Sequence, residues 1–223
     1  RNMVRSAIPE IEVPELPEDP VNYLNYLLSL NLFEINSYTD EDVKRTKLYQ
    51  QEAKRSQLQK VYGNEGEFLE KLDMVSEVMH LNEFNIPRSA QLSQRSNQFN
   101  LRTVRYTEED MKRISTSTEY SSLILNLNDS YGEYGIISGI ILKQQAAVLF
   151  IENWLMSCRV LKRGVERFAL NEIVSIAKER ECEKVVGEYI PTVKNVIVKE
   201  HYKDLGFYHL GGCRWELDVA GYE

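Results

Sequence analysis

Ser157-Cys158-Arg159-Val160-Leu161-Lys162-Arg163-Gly164-Val165-Glu166 decides how this chain is read. A strand-like apolar run ends just before it, and a helix begins just after it. Gly187-Glu188-Tyr189-Ile190-Pro191-Thr192-Val193-Lys194-Asn195 follows a second strand-like run, and Tyr202-Lys203-Asp204-Leu205-Gly206-Phe207 comes one helix later. Arg159, Lys162 and Arg163 precede Gly164, which opens the helix at Val165. A helix start offers free N–H groups and partial positive charge, so this turn suits a phosphate or pyrophosphate. On this segment alone, an ordinary basic loop with Gly164 chosen for backbone freedom is equally open.

Outward from that turn, the spacing predicts the rest of the domain. The helix from Val165 to about Arg180 puts Val165, Phe168, Ala169, Ile173, Ile176 and Ala177 on one stripe. Upstream, residues 122–127, 136–142 and 147–151 are strands separated by polar turns, too closely spaced for parallel crossovers, so they form an antiparallel meander. Val185-Val186 mark the next strand, Asn195 to Leu205 the next helix, and residues 207–210 with 213–217 a closing pair. Before the meander, Met74 to Met79 is a strand, Pro87 opens a helix, and Thr107 with Asp110 caps another through Ile114. The fold class is α/β (α+β): a mixed, mostly antiparallel sheet flanked by helices, with an N-terminal helical extension.

That extension starts in residues 7–20, which hold four of the six prolines and so run extended. Asp19-Pro20 begins an apolar helix ending near Leu32-Phe33. Thr39 and Asp42 start a long helix stopped by Gly63-Asn64. From Val43 to Lys60 it carries six cations and only Glu52 as an acid, a face for an acidic partner or simply a solvated one. The chain begins without methionine at Arg1, as after a cut inside a longer protein.

Composition narrows the function. With 223 residues, 43% hydrophobic, the chain can bury a core, and its net charge of −7 disfavours nucleic-acid binding as the main task. No apolar run is long enough to span a bilayer. Cys158, Cys182 and Cys213 are odd in number and unpaired in spacing, so a reduced, cytoplasmic setting is expected. Three histidines without ligand spacing make a metal improbable.

Several residues suit chemistry. The Tyr202 hydroxyl could protonate a departing thiolate, although tyrosines more often pack. Asn195 could cap its helix or bond an amide of a ligand, the cap being the safer reading. Cys158, beside the cation Arg159, is a candidate nucleophile or acyl carrier; an inert buried cysteine is the commoner case. Glu188 is a candidate general base at a strand end, and Glu152 a weaker one. The amide-rich Gln91 to Leu101 segment fits recognition of a polar substrate, or a helix end and turn.

Together these stretches resemble the C-terminal part of FkbH-like proteins, in which a HAD-type phosphatase domain is joined to a GNAT-like domain. The resemblance rests on residues 13–20, 49–55, 91–100 with Arg105-Tyr106, 129–137, 157–166 and 189–207, above all Asn97-Gln98-Phe99-Asn100 and Cys158-Arg159-Val160-Leu161-x-Arg163-Gly164-Val165-Glu166. It implies that residues 1–20 end an upstream HAD phosphatase, 21–65 are a helical linker, and 66–223 are a GNAT-like acyltransferase domain. Similar proteins load a glyceryl unit from a phosphorylated glycerate onto an acyl carrier protein and remove the phosphate. The phosphatase nucleophile would lie upstream of Arg1.

The resemblance also implies CoA or a carrier-protein phosphopantetheine as cofactor, its arm along the strand ending at Cys158 and its phosphate at Gly164, between two splayed central strands. Arg159, Lys162, Arg163, Gly164, Val165 and Asn195 would bind it; Tyr202, Cys158 and Glu188 would act on the thioester. Leu161 and Glu166 depart from the usual Arg/Gln-x-x-Gly-x-Gly/Ala loop, and a carboxylate at Glu166 repels a pyrophosphate unless Lys162 or Arg159 neutralises it. A carrier arm, lacking the nucleotide end, fits better than free acetyl-CoA. The expected partners are an acyl carrier protein and the upstream phosphatase domain, with neither nucleic acid nor membrane. The rival readings are a non-catalytic module that presents a carrier to the phosphatase, and a domain that merely stabilises its neighbour.

Overall fold

A computed structural model of the chain describes residues 13–30, 50–55, 57–58, 62 and 64–222. The chain divides into two compact units, Arg1–Tyr49 and Gln50–Glu223. In the first, residues 13–17 have no regular structure, and the Asp19 carboxylate accepts the Val21 N–H at 3.0 Å to start a short 3-10 turn at Pro20–Asn22. Helix α1 (Tyr23–Ser29) follows. Its expected end near Leu32-Phe33, and residues 43–49 of the long basic helix, lie outside the described residues.

The second unit begins at Gln50. Residues 50–55 and 57–58 are helical. Arg55 is one of the cations expected on an outer face, for an acidic partner or simply for solvent, yet it points inward. Its guanidinium clamps Asp129 through Nε (2.6 Å) and Nη2 (2.8 Å) and stacks 4.0 Å from the Tyr134 ring centroid. Burial alone would raise the Asp129 carboxyl. The bonds from Arg55, the Tyr131 N–H and the Tyr134 hydroxyl outweigh it and hold that group below the usual carboxylate range.

Helix α2 (Glu65–Leu72) leads to β1 (Val75–Met79), then to α3 (Ile86–Arg95) and α4 (Glu108–Thr116). The predicted capping box of α4 is present: Thr107 Oγ1 accepts the Asp110 N–H at 3.1 Å, and Asp110 accepts the Thr107 N–H at 3.0 Å. The meander is β2 (Tyr120–Asp129), β3 (Gly132–Gln145) and β4 (Val148–Met156). Its strands run further than expected, since the polar stretch 128–135 continues the β2–β3 ladder through bulges rather than forming a long turn. Then come α5 (Val165–Glu179), β5 (Lys184–Glu188), α6 (His201–Asp204), β6 (Tyr208–Gly211) and β7 (Arg214–Asp218). The helix expected from Asn195 is split into a 3-10 turn at Val196–Val198 and the short α6.

Among the described residues seven strands form one sheet, in the order β1-β2-β3-β4-β5-β7-β6, antiparallel except for β4 with β5. Strand periodicity feeds two cores. Leu123, Leu125 and Leu127 of β2 face one side with α5, while Ile124 faces the other side with α3 and α4.

Candidate functional site

The one parallel pair is where the sheet opens. β4 and β5 pair from Val148↔Lys184 to Ile151↔Gly187 and then part. A bulge helps: Ile141 pairs with Asn153 but Leu142 with Ile151, so Glu152 is the extra residue. Beyond it, β4 runs on to Met156 with no neighbour from β5. An extended ligand with amide groups would pair with that free edge.

The chain's own residues take that place. Phe99-Asn100-Leu101 lies antiparallel to the end of β4: Leu101 N–H donates to the Trp154 carbonyl, and Met156 N–H to the Phe99 carbonyl, both at 3.0 Å. On the far side, Ile190 N–H donates to the Leu101 carbonyl at 2.8 Å. Phe99 and Leu101 are fully buried, and burying two such side chains stabilises this strap by roughly 3–6 kcal/mol. It is a built part of the fold. The apolar-polar-apolar alternation of Phe99-Asn100-Leu101 was the signal for it, masked by the surrounding amides.

Asn195 holds the strap instead of facing a ligand or capping the helix after it. It is fully buried; its Nδ2 donates to the Asn100 carbonyl (3.1 Å) and the Ile190 carbonyl (3.0 Å), and its Oδ1 accepts the Thr192 N–H at 2.7 Å. Its amide has no capacity left for a cofactor. Tyr202 is sealed as well, at 1% exposure. Its ring lies over Gly187, where an added Cβ would run into it, and its hydroxyl sits near the Glu188 backbone without a well-formed hydrogen bond. Burial pushes that hydroxyl well above the ordinary tyrosine range. In this arrangement it does not reach a thioester. Glu188, expected as a base, is held by two arginines: Arg102 Nε and Arg214 Nε each lie 3.0 Å from its carboxylate. Arg102 also binds Glu152 at 2.9 Å, so both candidate carboxylates are in ion pairs.

The basic turn is only partly available. Lys162 (φ 60°) and Gly164 (φ 82°) both lie in the left-handed region, which explains the glycine directly before α5. Arg163 is turned inward, donating to the Tyr134 hydroxyl and pairing with Glu52 at 3.2 Å. Glu166 folds back, its carboxylate accepting the Lys162 N–H at 2.8 Å where an anion would sit. Val165 is buried and contributes only its backbone to the turn. Arg159 reaches Ser157 Oγ at 3.4 Å, and the Lys162 side chain is exposed. Cys158 is exposed too, not buried as an inert cysteine would be. The structure therefore groups Cys158, Arg159 and Lys162 on the surface at the end of β4 and separates them from Tyr202, Asn195 and Glu188, which lie inside or in ion pairs. Among the described residues no cluster of metal-ligating side chains is found, and no helix is long and apolar enough to cross a membrane.

A mixed sheet whose single parallel pair splays past a β4 bulge, followed by a glycine turn into a helix, is the fold of GNAT acetyltransferases. The spermidine N-acetyltransferase of Vibrio cholerae, solved with CoA and spermine, is similar at a TM-score of 0.51 and 10% identity, covering 65% of this chain and 96% of that one. A GNAT-family acetyltransferase of Staphylococcus aureus gives 0.51 at 8% identity over 65% and 99%. A probable acetyltransferase of Staphylococcus epidermidis gives 0.50 at 14% over 65% and 99%. No protein-family model matches the sequence, and no curated protein matches it.

Proposed function

We propose that this chain acts in acyl or glyceryl transfer from a phosphopantetheine thioester on an acyl carrier protein, with the Cys158 thiol as the accepting group. The observation that carries the proposal is the exposed thiol on the same turn as Arg159 and Lys162, while the hydroxyl expected to serve direct transfer is sealed. The Cys158 sulfur attacks the thioester carbonyl carbon. A new carbon–sulfur bond forms, the bond to the arm's sulfur breaks, and the arm leaves as a thiolate that takes up the proton Cys158 gave to solvent. Arg159 and Lys162 attract the arm's phosphodiester, which carries less charge than the nucleotide end of CoA and so tolerates Glu166 nearby. The strap closes the usual splay to the arm of a carrier and of CoA alike, so the proposed transfer takes place at the surface beside Cys158. An upstream HAD phosphatase domain would complete the sequence of reactions.

The test is intact-protein mass spectrometry after mixing with an acylated carrier protein. An adduct of the acyl mass that disappears in Cys158→Ala is expected. Carrier binding without any adduct would overturn it in favour of a non-catalytic carrier-binding module, the reading that the filled splay favours.

A further inference from the structure

The strap has a second face. Phe99 and Leu101 point into the core, and Asn100 between them lines a cavity of about 320 Å³ on the surface, bounded by Ser96, Arg105, Thr192, Val193 and Lys194. Its size is at the lower end of small-molecule sites. Two cations and not one carboxylate line it, on a chain whose net charge is −7. Among the described residues Arg105 is held in place by neutral groups: Nη2 donates to Asn97 Oδ1 at 2.5 Å and Nη1 to the Gln94 carbonyl, so its charge is not cancelled by either. Lys194, the second cation in the lining, is exposed.

One of the lining residues carries a buried acceptor that lacks a donor among the described residues. Asn100 is 1% exposed, its Nδ2 donates to the Val104 carbonyl at 3.0 Å, and among the described residues its Oδ1 has no hydrogen-bond partner. A buried acceptor left unpaired is destabilising, and a ligand donor would relieve it. Thr103 on the same wall has φ 57°, unusual for a β-branched residue and a form of strain that collects at ligand sites.

We infer that this cavity binds a small phosphate ester or carboxylate carrying an O–H or N–H donor, the anion held by Lys194 and Arg105 and the donor by Asn100 Oδ1. That chemistry belongs both to a phosphopantetheine arm, with its amides and hydroxyl, and to a free hydroxylated organic phosphate. The site does not depend on thiol chemistry at Cys158.

The test is titration of the 1–223 chain, by calorimetry and by amide chemical shifts, with 4′-phosphopantetheine, glycerol 3-phosphate and inorganic phosphate. At least one of the two esters is expected to bind, shifting amides of residues 96–105 and 192–194, and to weaken about tenfold in Lys194→Glu while Lys194→Arg keeps affinity. Phosphopantetheine alone binding assigns the cavity to the arm; glycerol 3-phosphate binding as well assigns it to a small substrate. Lys194 is on the surface, so these variants fold. Inorganic phosphate binding as tightly as the esters would show a bare anion patch and overturn the inference, as would shifts confined to other residues or the absence of binding by either ester. Loading of Cys158 in Lys194→Glu from a thioester without a phosphate, such as an N-acetylcysteamine thioester, should be unchanged, which separates this cavity from the thiol.

Discussion

His201 should make the fold acid-sensitive in a way that one substitution removes. Its ring is enclosed by Phe99 (centroids 4.8 Å apart), Trp154 (4.6 Å) and Tyr202 (5.6 Å), with Nε2 unpartnered among the described residues. Burial pushes its pKa from 6.5 down to about 3. The folded protein thus holds the ring neutral while the unfolded chain protonates it below its ordinary value. Stability from this group is complete above pH 6.5 and drains away as pH falls toward 3. Each pH unit in that window is worth about 1.4 kcal/mol, so moving from pH 7.5 to 5 should cost about 2 kcal/mol. Urea unfolding of the wild type and His201→Phe at both pH values measures it. Phenylalanine suits the aromatic surroundings and does not titrate, so its loss over the same interval should be smaller by that amount. Carboxylate titrations are common to both proteins and cancel. Equal pH dependence in the two would mean that the ring is hydrated or paired in the folded state, and the reasoning about its burial would be wrong.

Other perturbations test separate parts of the structure. Arg55→Met leaves the fully buried Asp129 carboxylate without its cation and should cost about 3–5 kcal/mol in chemical denaturation; a loss under about 1 kcal/mol would show that the clamp is not formed. Tyr202→Phe removes a buried hydroxyl that lacks a well-formed bond, so stability should hold or rise by up to about 1 kcal/mol, with Cys158 loading unchanged. A drop in loading of roughly 10²–10⁴-fold would instead restore Tyr202 as the proton donor. Gly187→Ala pushes a methyl into the Tyr202 ring and should destabilise by about 1–3 kcal/mol, seen as a lower melting temperature; an unchanged one would mean that the ring moves aside freely.

The elements were legible because each is written in neighbouring residues. The 3.6-residue stripe of α5, the Thr107–Asp110 box of α4, and the alternation and short turns of the meander need only local spacing, and all appear in the structure. The Gly164 turn was legible for the same reason, since positive φ before a helix calls for glycine. The occupants of that turn were not. Glu166 was recognised as an obstacle to a pyrophosphate, but its bond to the Lys162 amide and the loss of Arg163 to Glu52 and Tyr134 depend on rotamers and a distant helix.

What the sequence determined by itself is the order of the elements from residue 74 onward and the type of nearly all of them, the split helix after Asn195 apart, and with them a mixed sheet built around a glycine turn. Tertiary structure alone decided that Asn100 would pair with Leu155 across the splay, that Arg55 would clamp Asp129 74 residues away, and that Tyr202 would be shut in while Cys158 stayed outside. Periodicity records which face of an element is apolar, but not which distant segment will cover it. That choice follows from shape and from unpaired backbone groups, which exist only once the two strands have parted.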